Sequence, residues 1–324
     1  MKDIRLFFQL TACFLIISCS MVGKKTPHEI VWQVIGEKKS SQSVVEYIKS
    51  GGYSIQEIQS IAQKSIEQSQ CSLAYDLVKN FQIDPNLRSD TQTLFQCLLL
   101  NKYYQDALHV LKSGAAPEFI RHESVYRNDA LEEASAWGEI EIVRELLRLG
   151  ERPSSRAFFL AVSGHYHRDY DKSLSILDLY KKYIMKIDIN YEFVKSPLLY
   201  EVATERKYSL QQRLHLSKAI LELGADPNKG VKRTEHGKTG RNIDYIETAY
   251  MAVSGTPELT ALFLAYGADA EQGRAKEYAK FIANLIPGDE AKQGLVVQIK
   301  DNLVLVQTAS GTRWVKIEEI RPSK

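Results

Sequence analysis

Residues 221–228 read Leu-Glu-Leu-Gly-Ala-Asp-Pro-Asn, and residues 264–269 read Leu-Ala-Tyr-Gly-Ala-Asp. In both stretches an apolar run ends at a glycine, and a Gly-Ala-Asp turn follows it. A glycine, or the residue that takes its place, recurs at intervals of 31, 32, 36, 36, 38 and 43 residues, at Gly51, Gln82, Gly114, Gly150, Lys186, Gly224 and Gly267. A period of roughly 20–50 residues is typical of stacked repeats rather than of a single-core globule.

The clearest unit lies between residues 128 and 150. One helix is predicted over 130–138 and a second over 139–149, and Gly150 suits the left-handed conformation that ends a helix. The second helix carries one apolar stripe, formed by Ile142, Val143, Leu146, Leu147 and Leu149. Because one such helix pair cannot bury its own stripe, neighbouring pairs are expected to stack.

These units resemble the ankyrin repeat, whose second helix and turn read Ile-Val-x-x-Leu-Leu-x-x-Gly-Ala-Asp. The best matches are residues 128–150, 216–228 and 256–269, whereas 83–86 and 187–190 keep the turn without the glycine. The Thr-Pro-Leu-His opening of the family is nowhere intact. The resemblance covers residues 27–286 and implies a mainly α, ankyrin-like helical-hairpin solenoid that binds protein partners. Another helical-hairpin repeat of similar period is the alternative.

The N-terminus has the pattern of an export signal. A short charged start precedes an apolar run over 6–17, which has the length of a signal-peptide core. The run ends in Ile-Ile-Ser-Cys and resembles the bacterial lipobox, which implies a signal peptide over 1–18, acylation of Cys19 and a tether over 19–26. In a Gram-negative cell, Ser20 would then favour anchoring in the outer membrane, on its periplasmic side. An ordinary signal peptide with an incidental Cys19 is the alternative.

Cys71 and Cys97 remain for the folded chain. Cys71 is predicted to open the second helix of one unit, and Cys97 to lie in the first helix of the next. Export would allow a disulfide between them, and two buried free thiols are the alternative.

The period of the pattern changes to two after residue 287. Three strands are predicted over 294–299, 303–308 and 312–317, with turns at Asp301-Asn302 and Ser310-Gly311. The segment 287–324 resembles a small SH3-like β module, which we expect to pack against a helix over 275–286. Trp314 is expected to fill the core of this module, with a peptide-binding role as the alternative.

The segment 231–241 is predicted to be an enlarged basic finger between repeats. Residues 229–241 carry a net charge of +4 before any charge on His236. Such a finger could bind an acidic partner or anionic lipid headgroups, and a solvated loop without a function is the alternative. The candidate partner-binding residues are Lys232, Arg233, His236, Lys238 and Arg241.

Few patterns in the chain point to catalysis. His165, His167 and Asp169 have the spacing of metallo-hydrolase ligands, but the motif falls in a predicted loop and Tyr170 stands where those enzymes place His. We therefore predict no metal, no cofactor and no enzymatic activity, and a hydrolase using these three residues is the alternative function. A net charge of +2 gives no indication of nucleic-acid binding.

Together these patterns predict a monomeric, lipid-anchored scaffold or regulator on the bacterial envelope. It would bind a protein partner through its repeat surface. A structural protein whose C-terminal module contacts the cell wall is a further alternative.

Overall fold

The computed structural model describes residues 25–27, 29–30, 32–33, 40–119, 128–164, 166–238, 240–300 and 303–323. Cys19, His165 and the predicted turn at Asp301-Asn302 lie outside these ranges.

Within the described ranges the chain is mainly α, and most helices are short and come in pairs. In chain order they are α1 Ser41–Ser50, α2 Ile55–Glu67, α3 Cys71–Phe81, α4 Leu94–Leu100, α5 Tyr104–Lys112, α6 Ala130–Trp137, α7 Ile140–Arg148, α8 Ser155–Ser163, α9 Tyr170–Tyr180, α10 Leu198–Thr204, α11 Leu210–Glu222, α12 Ala249–Ala252, α13 Pro257–Ala265 and α14 Ala275–Asn284. The strands are β1 Glu192–Phe193, β2 Ser196–Pro197, β3 Gly230–His236, β4 Asn242–Thr248, β5 Glu290–Ala291, β6 Gly294–Lys300, β7 Leu303–Thr308 and β8 Gly311–Lys316.

Polar side chains define where several helices begin. Ser54 accepts a hydrogen bond from the backbone N–H of Glu57, whose carboxylate accepts one from the N–H of Ser54. Ser209 and Gln212 form the same reciprocal pair at the start of α11. Each capping box satisfies backbone donors that lack a partner within the helix.

A helical run ends at or within two residues of each of the seven predicted positions. Gln82 takes the left-handed conformation with φ of 52°, and so do the glycines Gly114, Gly150, Gly224 and Gly267. Gly51 follows α1 with a φ of −85°, and the positive φ falls on the neighbouring Gly52. Lys186 is the last residue of a 3₁₀ helix over Lys181–Lys186.

The chain divides into two compact units. The first unit comprises the residues up to Ala134 together with Glu141–Gly150, and the second comprises Ser135–Ile140 together with Glu151–Lys324. In the first unit, Asn86 Oδ1 accepts a hydrogen bond of 2.8 Å from the backbone N–H of Ala116, in the next turn.

The second unit repeats this contact twice. Asn190 Oδ1 accepts a hydrogen bond of 2.7 Å from the backbone N–H of Asp226, and Asn228 Oδ1 accepts one of 2.7 Å from that of Asp269. Within each turn the preceding Asp accepts from the Asn backbone N–H, as Asp226 does from Asn228 at 2.8 Å. The Asp-x-Asn sequence therefore links one repeat to the next.

A four-stranded antiparallel sheet in the order β5-β6-β7-β8 closes the chain. The sheet and the last helix share one core. Ile282 and Leu285 contribute to it from the end of α14, and the C-terminal segment contributes Ala291, Val296, Val304, Val306, Val315, Ile317 and Ile320. The predicted packing of this sheet against the last helix is thus confirmed.

The expectation for Trp314 was wrong. Trp314 is 46% exposed, because it pairs with Leu305 on the face opposite to the buried pair of Val304 and Val315. Side chains of adjacent residues on a strand point to opposite faces, so Val315 rather than Trp314 enters the core.

Candidate functional site

The segment predicted as a basic loop forms a β-hairpin. Strands β3 and β4 pair in an antiparallel register from Gly230 opposite Thr248 to His236 opposite Asn242. We call residues 230–248 the long hairpin. Its returning strand brings Asp244 and Glu247, so the net charge of residues 229–248 is only +2. The predicted excess of charge is therefore halved by acidic residues that the predicted loop did not include.

Arg233 joins the long hairpin to helix α10. Its Nε donates to Glu247 at 2.9 Å, and its Nη2 donates to the hydroxyl of Tyr200 at 3.1 Å. Tyr200 in turn donates to Glu247 at 2.8 Å. Burial alone would raise the pKa of Glu247, but the hydrogen bonds from Tyr200 and Arg233 outweigh it and lower that pKa.

The tip of the long hairpin is attached to the C-terminal end of α14. Nη1 of Arg241 donates to the carbonyls of Ile282 and Leu285, at 2.9 and 3.0 Å. The backbone N–H of Lys238 donates to Oδ1 of Asn284 at 2.9 Å. The last carbonyls of a helix lack partners within it and attract cations, so Arg241 has a structural role here.

Gly237 permits this close approach. A Cβ atom at this position would lie 2.0 Å from the carbonyl oxygen of Ala283. A side chain at 237 would therefore push the hairpin tip away from α14.

The outward face of the long hairpin is largely polar, although Ile246, opposite Lys232, is 46% exposed on it. Several of its polar side chains pair with one another. Lys232 lies 2.6 Å from Asp244, and Thr234 donates to the same carboxylate at 2.7 Å. Nδ1 of His236 lies 2.8 Å from Oδ1 of Asn242. Of the five predicted binding residues, Arg233 and Arg241 thus bond to other parts of the second unit, although Arg233 is still exposed. Lys232, His236 and Lys238 are exposed as well.

A second hairpin, which the sequence patterns did not predict, precedes the long one. Strands β1 and β2 are joined by Val194 and Lys195 alone, and we call residues 192–197 the short hairpin. Both joining residues have positive φ, 51° for Val194 and 64° for Lys195. Such two-residue turns strongly favour Asn and Gly, so the sequence Val-Lys contained no recognisable turn signal.

The tip of the short hairpin is exposed while its base is held. Val194 is 81% exposed. The ring of Phe193 packs against that of Phe159, with centroids 5.5 Å apart, and Glu192 lies 3.2 Å from Lys229, at the start of the long hairpin. The two hairpins are therefore neighbours in the second unit.

The two described members of the His-x-His-x-Asp motif have structural roles. The backbone N–H of Asp169 donates to Nδ1 of His167 at 3.1 Å, which leaves Nε2 to donate to the carbonyl of Ala161 at 3.2 Å. Burial lowers the pKa of His167. Asp169 caps helix α9 by accepting from Asp171 and Lys172. Among the described residues, no group of three His, Cys, Asp or Glu side chains could hold a metal ion.

Cys71 and Cys97 lie where the sequence placed them, at the start of α3 and within α4. The structure joins them in a disulfide, with Cα atoms 5.6 Å apart and both residues buried. No helix in the described ranges is long and apolar enough to cross a membrane.

Neither the protein-family models nor the curated proteins contain a match to this chain. Solved structures are similar to it at low identity. The human ASB11 ankyrin repeat domain is 20% identical with a TM-score of 0.43, covering 68% of this chain and 90% of its own. An ankyrin repeat domain from Acinetobacter baumannii AYE is 15% identical with a TM-score of 0.44, covering 64% and 98%. The ankyrin repeat domain of Bcl-3 is 16% identical with a TM-score of 0.39, covering 65% and 87%.

Proposed function

We propose that this chain is an exported, lipid-anchored scaffold that binds a protein partner at its two hairpins, with the tip of the short hairpin as the central contact. The observation that carries this proposal is Val194, an apolar side chain that is 81% exposed in a left-handed backbone conformation.

Val194 combines a strained backbone with a side chain that folding does not bury. A left-handed conformation costs a residue with a Cβ atom about 1–2 kcal/mol, and a β-branched residue is a marked outlier there. An exposed apolar side chain gains nothing from folding, since it stays in water. Asn or Gly at this position would remove the strain, and no burial of an apolar side chain would be lost. A contact made only when a partner is present gives a physical reason for keeping Val, and strained positions do concentrate at binding sites.

The surroundings of Val194 define the chemistry of the partner. Lys195 is exposed beside it. Lys232 and His236 are also exposed, on the outward face of the long hairpin, where Lys232 is paired with Asp244. A partner with a small apolar pocket bordered by carboxylates would complement this surface. The charged rim would chiefly speed association, so the association rate should fall as salt concentration rises.

The anchor in this proposal rests on the sequence, because Cys19 lies outside the described residues. Acylation there would fix the scaffold at the envelope and raise the local concentration of a membrane-bound partner. We also propose that the C-terminal module is SH3-like. In support, its four strands are followed by a short 3₁₀ helix at Ile317–Glu319 and a bridge between Ala291 and Pro322.

Affinity capture from detergent-solubilised membranes tests the function. The mature protein is compared with Val194→Asn and with Leu264→Asn, a matched apolar control that is 44% exposed on helix α13. We expect one stoichiometric partner that Leu264→Asn retains and Val194→Asn loses by at least tenfold. Retention of the same partner by both variants would place the contact elsewhere, and capture of no partner by the folded wild type would refute the scaffold.

A further inference from the structure

The C-terminal sheet has an outer face that is not covered by the helix on its other side. Strand register places three residues of β6, three of β7 and three of β8 in rows across this face. We call it the outer face, and it comprises Leu295, Gln298, Lys300, Leu303, Leu305, Gln307, Thr312, Trp314 and Lys316.

The centre of the outer face is apolar and open to solvent. Leu305 and Trp314 are direct cross-strand partners, and Leu303 precedes Leu305 on the same face of β7. Leu295 lies in the next row, opposite Gln307. Leu295, Leu303 and Trp314 are each more than two-fifths exposed. Contiguous exposed apolar groups of this kind mark interaction surfaces.

The charges of the outer face are unevenly placed. Lys300 and Lys316 both pair with Leu303, one from each neighbouring strand, so two ammonium groups bracket one end of the apolar centre. Glu290 pairs with Leu295 at the other end. Glu318 lies 3.7 Å from Lys316, and both side chains are largely exposed, so this pair is weak.

We propose that the outer face docks onto the surface of an anionic phospholipid bilayer. Trp is favoured at the membrane–water boundary because its ring is apolar and its N–H is polar. Leucines beside it would enter the same layer, while the two lysines would meet lipid phosphates. The proposal extends the lipid anchoring proposed above, since a single acylated end leaves the far end of the chain free, and a second weak signal strengthens anchoring.

Vesicle binding by the unacylated mature chain tests this inference separately from the lipid anchor. The chain carries Cys19→Ala, and sedimentation is measured with vesicles of phosphatidylcholine alone or with one third phosphatidylglycerol. We expect binding that is stronger on the anionic vesicles and that falls with salt. Trp314→Ala with Leu305→Ser should weaken it at least tenfold. Lys300→Ser and Lys316→Ser should each weaken it about fivefold on anionic vesicles only, the equivalent of about 1 kcal/mol per lysine.

Two controls make the outcome decisive. Lys280→Ser on α14 and Leu264→Ser on α13 remove exposed residues of the same kinds elsewhere, and vesicle binding should not change. Circular dichroism and urea unfolding establish that each variant is folded. The inference is overturned if the folded wild type binds neither kind of vesicle, or if Trp314→Ala with Leu305→Ser binds vesicles as strongly as the wild type does. It is also overturned if substitutions on the outer face reduce only the capture of a protein. Failure here leaves the capture experiment at Val194 unaffected.

Discussion

The two hairpins of the second unit differ in length, in charge and in what their tips contact. The long hairpin has seven residues in each strand, and its tip is fastened to the end of α14 by Arg241 and Gly237. The short hairpin has two residues in each strand, and its tip, Val194 and Lys195, stands in solvent. The tip of the longer and more charged hairpin is thus bound within the fold, whereas the tip of the shorter one is free to contact a partner. Charge in a sequence window is a poor guide to a binding surface when the neighbouring strand carries the counter-charges.

The largest expected effect is at Gly237. In Gly237→Ala the added Cβ would lie 2.0 Å from the carbonyl oxygen of Ala283, so the hairpin tip or α14 must shift, at a cost of about 3 kcal/mol. Gly255→Ala is the control, because a Cβ there meets nothing within 4 Å. Urea unfolding should show a clearly lower free energy of unfolding for Gly237→Ala and almost no change for Gly255→Ala. Equal stability of the two would mean that the hairpin tip is not fastened.

Arg241→Ala should have the next largest effect. It leaves the carbonyls of Ile282 and Leu285 without their donor, and we expect a loss of about 2 kcal/mol in the free energy of unfolding. Lys232→Ala removes an exposed pair with Asp244 and should leave the stability almost unchanged, because solvent screens such a pair. If thermal and urea unfolding rank these variants in the opposite order, the assignment of structural and exposed roles along the long hairpin is wrong.

Val194→Asn should change stability in the other direction. Asn tolerates the left-handed conformation, so the free energy of unfolding should rise by about 1 kcal/mol. The same variant is expected to lose the partner, and a stabilised variant that no longer binds cannot be explained by misfolding. A destabilised Val194→Asn would show that Val194 is not strained in solution.

The smallest effect is on the dependence of stability on pH. Because the folded-state pKa of Glu247 is lowered, its contribution is complete above the unfolded pKa of about 4.3 and is lost as pH falls through the lower folded value. Glu247→Gln should therefore flatten this part of the curve of stability against pH below about pH 5. An unchanged curve would indicate that Tyr200 and Arg233 do not hold the carboxylate in solution. Neither Val nor Asn titrates, so Val194→Asn at the tip of the short hairpin should leave the curve's shape unchanged.

Much of this fold could be predicted from the sequence because its signals are local. The helix ends at Gly114, Gly150, Gly224 and Gly267 and the turns with Asp-x-Asn depend on residues a few positions apart. Strands β6, β7 and β8 follow from alternation. The exposure of Trp314 depends on which face of the sheet the helix covers, and a sequence with apolar residues on both faces does not determine that choice.

The candidate site was harder to predict, because it depends on contacts between distant residues. Arg241 acts on α14 more than 40 positions away. The strand over 242–248 neutralises part of the charge that made the segment before it look like a binding loop. The turn at Val194 lacks the Asn or Gly that normally identifies such turns, so the sequence did not predict it. The same unusual residue in a left-handed conformation is the feature that suggests its function.

Photocrosslinking in intact cells tests the central contrast most directly. A photoreactive amino acid replaces Val194 at the tip of the short hairpin, Thr234 on the outward face of the long hairpin, or Gly255 as a remote control. We predict one defined protein adduct that is strongest from position 194, weaker from 234 and absent from 255. An adduct from 234 without one from 194 would make the long hairpin the contact surface and would contradict the assignment of the short hairpin tip as the central contact.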